Sequence, residues 1–328
     1  MATRWKVYVT RRVHEEGLQQ LRESCDVEVW EGEGPVPREV LIEKIRDAEG
    51  LYCLLTEPVD KELLAHALKL RVVSVMAVGV DNVDLDACTR RGIPVGHTPG
   101  VLTETTADLT WALLLAAARR LAEAQQAVYQ GRWITWEPLG FLGQDVHGKT
   151  LGIVGLGRIG SAVARRASGF GMRLLYHNRR PRPELEAALS AQYVDLPTLF
   201  READFVTLHA PLTQETYHLI GEAELKAMKP TAVLVNTARG GLVDHQALSR
   251  ALKEGWIWAA ALDVTEPEPL PPDHPLLTLP NCLITPHIGS ASHATRAKMA
   301  IMAAENLLAG LRGERLPHCA NPQVYEAR

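Results

Sequence analysis

Arg239, Glu268 and His287 are far apart in the second half of the chain, yet each lies just beyond a short apolar run that reads as a strand. Arg239 follows LVNTA and precedes Gly240-Gly241. Glu268 lies in a proline-rich loop after ALDVTEP, and His287 follows CLITP and precedes Ile288-Gly289-Ser290. If those strands share one open parallel sheet, their carboxyl ends face a single ligand crevice, and the three side chains converge there. A planar, permanently charged guanidinium grips a carboxylate and polarises a carbonyl oxygen. An imidazole gives or takes a proton near neutral pH. A carboxylate beside the imidazole orients it and favours its charged form. Together these groups suit reduction of a 2-keto acid, which needs a hold on the substrate carboxylate, a proton for the keto oxygen and a hydride for its carbon. Singly, each has a plainer reading: Arg239 as a surface turn residue, Glu268 as a loop acid with Glu266 as its competitor, His287 as one of 12 histidines.

A hydride donor is implied by Gly155-Leu156-Gly157-Arg158-Ile159-Gly160, a G-x-G-x-x-G run. The spacing alone is weak, but this run directly follows the strand TLGIV and opens the helix RIGSAVARRA. The first glycine permits a tight turn, the second lets backbone approach a pyrophosphate, and the third lets helix pack on strand. The helix N-terminus then presents N–H groups to the phosphates. The next strand ends in His177-Asn178-Arg179-Arg180, where an NAD-binding chain places an acidic residue for the ribose. Two guanidinium groups there suit a 2′-phosphate, so NADPH is expected in preference to NADH, with NADH still usable. A solvated basic turn is the plainer alternative.

Those residues need a scaffold of strands and helices. Runs KVYVT, DVEVW, GLYCLL, RVVSVMAV and PVGHT read as strands between residues 6 and 98. The pattern resumes with TLGIVG, MRLLYH, QYVDL, DFVTLHA, AVLVNTA, WAAALDV and CLITP between 150 and 286. Helical patterns separate most of them, which implies an α/β chain of doubly wound parallel sheets. One long helix is expected from near Thr103 to a stop at Gly131, and a last one from about His293 to Leu311. The loop EPEPLPPDHP (266–275) is expected to be stiff, because proline fixes its torsions.

Composition narrows the function classes. The chain has 328 residues, enough for two domains, and is 46% hydrophobic. Its net charge of −4 argues against bulk binding to nucleic acid or to anionic membrane. Five scattered cysteines, with no CxxC pair, make a zinc site or disulfide framework unexpected and favour a reducing compartment. The run Leu109 to Ala118 is too short to span a bilayer, and the N-terminus carries no apolar signal core, so cytoplasm is the expected location.

The stretches GLGRIG, NTARGGLVD, LDVTEPEPLPPDHPLL and LITPHIGSA resemble the D-isomer-specific 2-hydroxyacid dehydrogenases, in that family's order and spacing over nearly the whole chain. The resemblance implies roles by position. Arg239 would bind substrate, Glu268 rather than Glu266 would pair with the histidine, and His287 would be the acid/base. Val78 and Gly79, in MAVGVD, would hold the substrate carboxylate through backbone N–H groups, with Ser290 near the substrate. Ala210, Thr237, Asp263 and Gly289 would join the glycine motif, Arg158, Ile159 and Asn178–Arg180 in the cofactor pocket. The second glycine of NTARGGLVD is a departure, since many members carry a larger residue there.

Within the family, NRRPRPE, GRWITWEPL, DHPLLTLPN, HIGSASHATR and NLLAGLRGE are most similar to the glyoxylate/hydroxypyruvate reductases. That branch implies NADPH, a homodimer, and a tryptophan lent by the partner subunit to the substrate pocket, matched best by Trp136 with Trp133 close by. It implies a discontinuous substrate domain, residues 1–100 and 291–328, around a dinucleotide-binding domain, 101–290, with the substrate between them. The expected reaction is reduction of glyoxylate and hydroxypyruvate to glycolate and D-glycerate, Leu54, Leu55 and Trp136 limiting substrate size. Alternatives are oxidation of phosphoglycerate, a dehydrogenase for another, bulkier D-2-hydroxy acid, and a dinucleotide-sensing dimeric scaffold that binds transcription factors.

Overall fold

The structure, a computed structural model, describes residues 4–326. The chain forms two compact units, one of residues 1–102 and 290–328, the other of residues 103–289. The first is therefore interrupted in sequence by the second.

In the first unit, β1 (Trp5–Val9), β2 (Cys25–Val29), β3 (Gly50–Cys53), β4 (Val72–Val75) and β5 (Val95–Gly96) alternate with α1 (Glu15–Arg22), α2 (Arg38–Ile45), α3 (Lys61–His66) and α4 (Leu85–Arg90). The strands pair in the order β2-β1-β3-β4-β5, all parallel. The second unit begins with α5 (Thr103–Ala118) and α6 (Leu121–Tyr129). Its strands are β6 (Thr150–Val154), β7 (Arg173–His177), β8 (Ala191–Tyr193), β9 (Phe205–Leu208), β10 (Val233–Asn236), β11 (Ala259–Leu262) and β12 (Cys282–Ile284). They pair in the order β12-β11-β10-β9-β6-β7-β8, again all parallel. Between them run α7 (Arg158–Ala167), α8 (Pro183–Leu189), α9 (Leu196–Glu202), α10 (Glu222–Ala227) and α11 (His245–Glu254), and α12 (His293–Arg312) returns to the first unit.

All twelve sequence-predicted strands are present. The central ones, β3, β4, β9, β10 and β11, are buried along their whole length, as apolar strands covered by helices on both faces must be. In both sheets the strand order reverses about the first strand, between β1 and β3 in one unit and between β6 and β9 in the other. At such a switch point the flanking connections leave to opposite faces, and a crevice opens at the carboxyl ends.

The single long helix expected from Thr103 to Gly131 is corrected to two. α5 ends at Ala118, and Arg120 adopts a left-handed φ of 54° before α6 begins. The cause is tertiary. Gln144 N donates to Ala118 O at 2.8 Å, capping the helix from 26 residues downstream, and Gly143 lies so close that a Cβ on it would meet Ala118 O at 2.3 Å. No helix among the described residues is long and apolar enough to cross a membrane.

Candidate active site

The glycine motif forms the turn from β6 to α7. Gly155 has φ +99°, and a Cβ there would meet the His209 carbonyl at 2.7 Å and Ala210 N at 2.8 Å, at the end of β9. The turn thus sits on the switch point. Gly160 packs its Cα against Gly155, where a Cβ would meet Gly155 O at 2.2 Å. A Cβ on Gly157 would meet nothing within 4 Å, so the backbone there is bare to an approaching group. Gly157 also begins α7 with no side-chain cap, whereas Asp60, Asp84, Asp195, Asp244 and Ser292 cap α3, α4, α9, α11 and α12. Uncapped first-turn amides beside open space suit an anionic ligand, and this cradle fits a dinucleotide pyrophosphate. Arg158 is exposed at its rim and Ile159 half-buried.

Asn178 has a local task as well. Its Oδ1 accepts from Leu156 N at 2.7 Å, tying the end of β7 to the glycine turn, while His177 Nδ1 donates to Val194 O at 2.9 Å. No carboxylate follows this strand. Arg179 and Arg180 are exposed in the loop beyond it.

Arg239 stands at the end of β10 on a turn built by one buried side chain. Asn236 Nδ2 donates to Arg239 O at 2.8 Å, and its Oδ1 accepts from Ala238 N at 3.1 Å. The guanidinium donates to Ala238 O at 2.8 Å and is half-buried. Thr237 is buried, its hydroxyl 2.8 Å from that of Thr110. Thr110 already donates to Thr106 O, so Thr237 is the donor between the two and has only lone pairs left to offer.

Glu268 follows β11 in the segment Thr265–Pro269, which contains cis peptides at Glu266-Pro267 and Glu268-Pro269. Glu268 Oε2 accepts from Thr265 N at 3.3 Å, and Oε1 accepts from His287 Nδ1 at 2.6 Å. Burial opposes its ionisation, but the bond and charge of His287, the Thr265 amide and the charge of Arg239 outweigh it, and its carboxyl lies below the usual range. Arg239, Glu268 and His287 are therefore brought together. Glu266 is not part of this group. Its carboxylate meets His218 Nε2 at 3.1 Å, and its amide donates to His245 Nδ1 at 3.4 Å.

His287 follows β12 with a left-handed φ of 55°, a conformation that costs a non-glycine residue about 1–2 kcal/mol. Asp263 supplies the compensation. Its carboxylate is almost wholly buried and accepts from Thr285 Oγ1 at 2.6 Å, Ile288 N at 2.8 Å and Gly289 N at 2.8 Å, while its carbonyl accepts from His287 N at 3.0 Å. Sequence reasoning gave Asp263 and Gly289 only to the cofactor pocket and missed this clamp, as it missed the turn built by Asn236. A buried Asp one residue beyond a strand was the available signal.

Residues 111–289 match the family model described as "D-isomer specific 2-hydroxyacid dehydrogenase, NAD binding domain". The chain belongs to the D-isomer specific 2-hydroxyacid dehydrogenases. Glyoxylate reductase of Korarchaeum cryptofilum is 54% identical over 324 residues, covering 98% of each chain. Glyoxylate reductase of Thermococcus gammatolerans is 53% identical over 327 residues with the same coverage. A Thermus thermophilus protein of known structure shares 50% identity and a TM-score of 0.91 over 96% of this chain and 99% of that one. An NADPH-dependent glyoxylate/hydroxypyruvate reductase from Sinorhizobium meliloti, solved with NADP and malonate, shares 33% identity and a TM-score of 0.83 over 98% of each chain. As a member of this dehydrogenase family, the chain acts on small 2-hydroxy or 2-keto acids with a nicotinamide dinucleotide.

Other residues singled out from sequence lie elsewhere. Val78 and Gly79 are in the first unit, just beyond β4, where His97 Nδ1 donates to Val78 O at 2.9 Å. Ser290 is the first residue of the chain's return to that unit. Trp133 and Trp136 are 69% and 80% exposed, in the irregular segment after α6, with Ile134 and Leu139 also bare. Within the chain, then, Trp136 is not buried in a pocket.

Proposed function

We propose that this dehydrogenase reduces glyoxylate and hydroxypyruvate to glycolate and D-glycerate, with NADPH as the preferred reductant and NADH as a usable second. The observation that carries this reading is the 2.6 Å pairing of His287 with Glu268 beside Arg239, in a chain 54% identical to a named glyoxylate reductase over 98% of its length.

Arg239 holds the substrate carboxylate and polarises the keto oxygen, so that negative charge developing there is stabilised where it forms. His287 engages Glu268 through Nδ1, which leaves Nε2 to give its proton to that oxygen and to take it back in the oxidative direction. Glu268, ionised, fixes the ring and supports its charged form. Backbone N–H groups of Val78 and Gly79 share the carboxylate, and Ser290 borders the substrate. Bound reduced nicotinamide supplies the hydride to the carbonyl carbon.

Gly155 makes the turn, its own amide donating to His177 O at 2.9 Å, and the amides of Gly157, Arg158, Ile159 and Gly160 cradle the pyrophosphate. Asn178, Arg179 and Arg180 face the adenosine ribose, where two guanidinium groups favour a 2′-phosphate. Ala210, Thr237, Asp263 and Gly289 line the rest of the cofactor pocket. The first unit, residues 1–102 and 290–328, serves as substrate domain and residues 103–289 as cofactor domain. Trp136, aided by Trp133, completes the pocket of a second copy in a homodimer, which accounts for an apolar segment left bare within one chain.

The test is turnover followed at the nicotinamide absorbance with glyoxylate and with hydroxypyruvate. NADPH is expected to exceed NADH in kcat/KM by on the order of ten-fold or more, from paired charge-assisted bonds to the phosphate. A clear preference for NADH would remove the role of Arg179 and Arg180. Absence of turnover with every small keto acid would overturn the reductase reading and favour a scaffold.

A further inference from the structure

The switch point of the first unit lies between β1 and β3, where a doubly wound sheet offers a ligand crevice. Here the place is filled by a carboxylate of the chain itself. Glu57 is 2% exposed. Its Oε2 accepts from Thr10 Oγ1, beyond β1, at 2.7 Å and from Leu54 N, beyond β3, at 3.0 Å. Its Oε1 accepts from Thr56 Oγ1 and lies 3.6 Å from Arg11 Nη2. A buried charge so provided with donors fixes the turn that carries it.

A second side chain completes the fastening. Asn82 lies in the segment from β4 to α4, four residues after Val78. Its Nδ2 donates to Leu54 O at 2.9 Å and to Glu57 O at 2.8 Å, and its own carbonyl accepts from Val59 N at 2.8 Å. Leu54 is thus held at N–H by the Glu57 carboxylate and at C=O by the Asn82 amide. Asn82 Oδ1 is buried without a protein partner, so this amide serves by donating. A side-chain amide nitrogen carries two protons and can satisfy two carbonyls at once, which a carboxylate of the same shape cannot do. The far side of the same segment is pinned by His97 on Val78 O and by Val83 N on Val80 O at 2.9 Å.

We propose that Asn82 is a positioning residue that sets which keto acids fit, by clasping the Leu54–Glu57 turn to the Val78–Asn82 segment. This rests on the reading above, in which Val78 and Gly79 hold the substrate carboxylate while Leu54 and Leu55 bound its side chain. One segment then carries the anchor for the carboxylate and the other carries the wall. The distance between anchor and wall is the length limit on the substrate, and the Asn82 amide sets it at the Leu54 end, beside the backbone pairing of Val59 with Asn82 and Asp84. The network lies wholly within the first unit, whereas the glycine turn belongs to the second, so cofactor affinity is expected to be independent of it.

The test is Asn82→Asp, which preserves volume, removes both donors and sets oxygen against two carbonyls. The kcat/KM values for glyoxylate and for the longer 2-oxopentanoate are measured, with cofactor affinity by nicotinamide fluorescence. The expected result is a KM for glyoxylate raised on the order of ten-fold. The glyoxylate-to-oxopentanoate preference falls by a similar factor, and cofactor affinity stays unchanged. Thr10→Val, which removes one donor from Glu57 and leaves the rest, should move the preference the same way by a smaller amount, and it decides the matter if the Asp variant does not fold. A folded variant with unaltered preference, or an equal loss of kcat for both acids, overturns the assignment while leaving the reductase reading intact. No turnover by the unaltered protein overturns both.

Discussion

Two histidine–carboxylate pairs stand on the same short segment of this dehydrogenase, and they differ in the ring nitrogen engaged. His287 meets Glu268 through Nδ1 at 2.6 Å, and His218 meets Glu266 through Nε2 at 3.1 Å. Both histidines have left-handed backbone, with φ of 55° and 51°. Bonding through Nδ1 frees the outer nitrogen, the one on the long reach of the ring, for proton exchange. Bonding through Nε2 consumes that nitrogen, and the His218 ring is further occupied by stacking on Tyr217 at 4.0 Å. The carboxylate of the His287 pair also feels the charge of Arg239. A histidine beside an acid is therefore no mark of catalysis by itself; the free nitrogen and the neighbouring cation decide.

The sharpest way to break the comparison is His287→Ala, expected to lower kcat by ~10² to 10⁴ while cofactor binding survives; steady-state rates together with cofactor titration check this, and unchanged turnover removes His287 from the mechanism. Arg239→Lys is expected to lower kcat/KM for glyoxylate on the order of 10²-fold, because a point charge cannot reproduce a planar fork. A KM equal to that of the unaltered enzyme would contradict it.

Glu268→Gln should cost roughly ten-fold in reductive kcat, the worth of one charge-assisted bond. The pH dependence follows from Glu268 itself. A carboxyl held below its usual range keeps its pairing with His287 as pH falls through the ordinary carboxylate values, and loses that contribution only below them. The acid limb of stability in Glu268→Gln should accordingly flatten, as thermal melts across pH would record. The smallest effect belongs to His218→Ala. Both members of that pair are more than a third exposed, so less than about a five-fold change in kcat is expected. A loss comparable with that of His287→Ala would erase the distinction between the two pairs.

Much of this was legible in the residues. The strands announced themselves because a sheet covered on both faces demands runs such as GLYC and AVLVN, and few other structures do. The glycine turn was legible because its three glycines have separate tasks: close backbone approach at Gly155 and Gly160, and backbone left bare at Gly157. The break at Arg120 was not, since α5 is capped by Gln144 from a distant segment and arginine gives no local sign of left-handed backbone. Nor was the clamp of Asp263, whose three donors follow β12 and become its neighbours only once β11 and β12 pair. Choosing Glu268 over Glu266 needed the family's pattern, because two acids two residues apart look alike until their partners are in place.

Gly240, beside Arg239, has a last consequence. A methyl group at that position would strike the Thr265 carbonyl at 2.0 Å, so the main chain beside Arg239 lies directly on the Thr265–Glu266 peptide, at the start of the segment that carries Glu268. The gap between the turn that carries the cation and the segment that carries the anion is thereby gauged by main chain, as a shim sets the gap between two metal plates, with no side chain in between at that point.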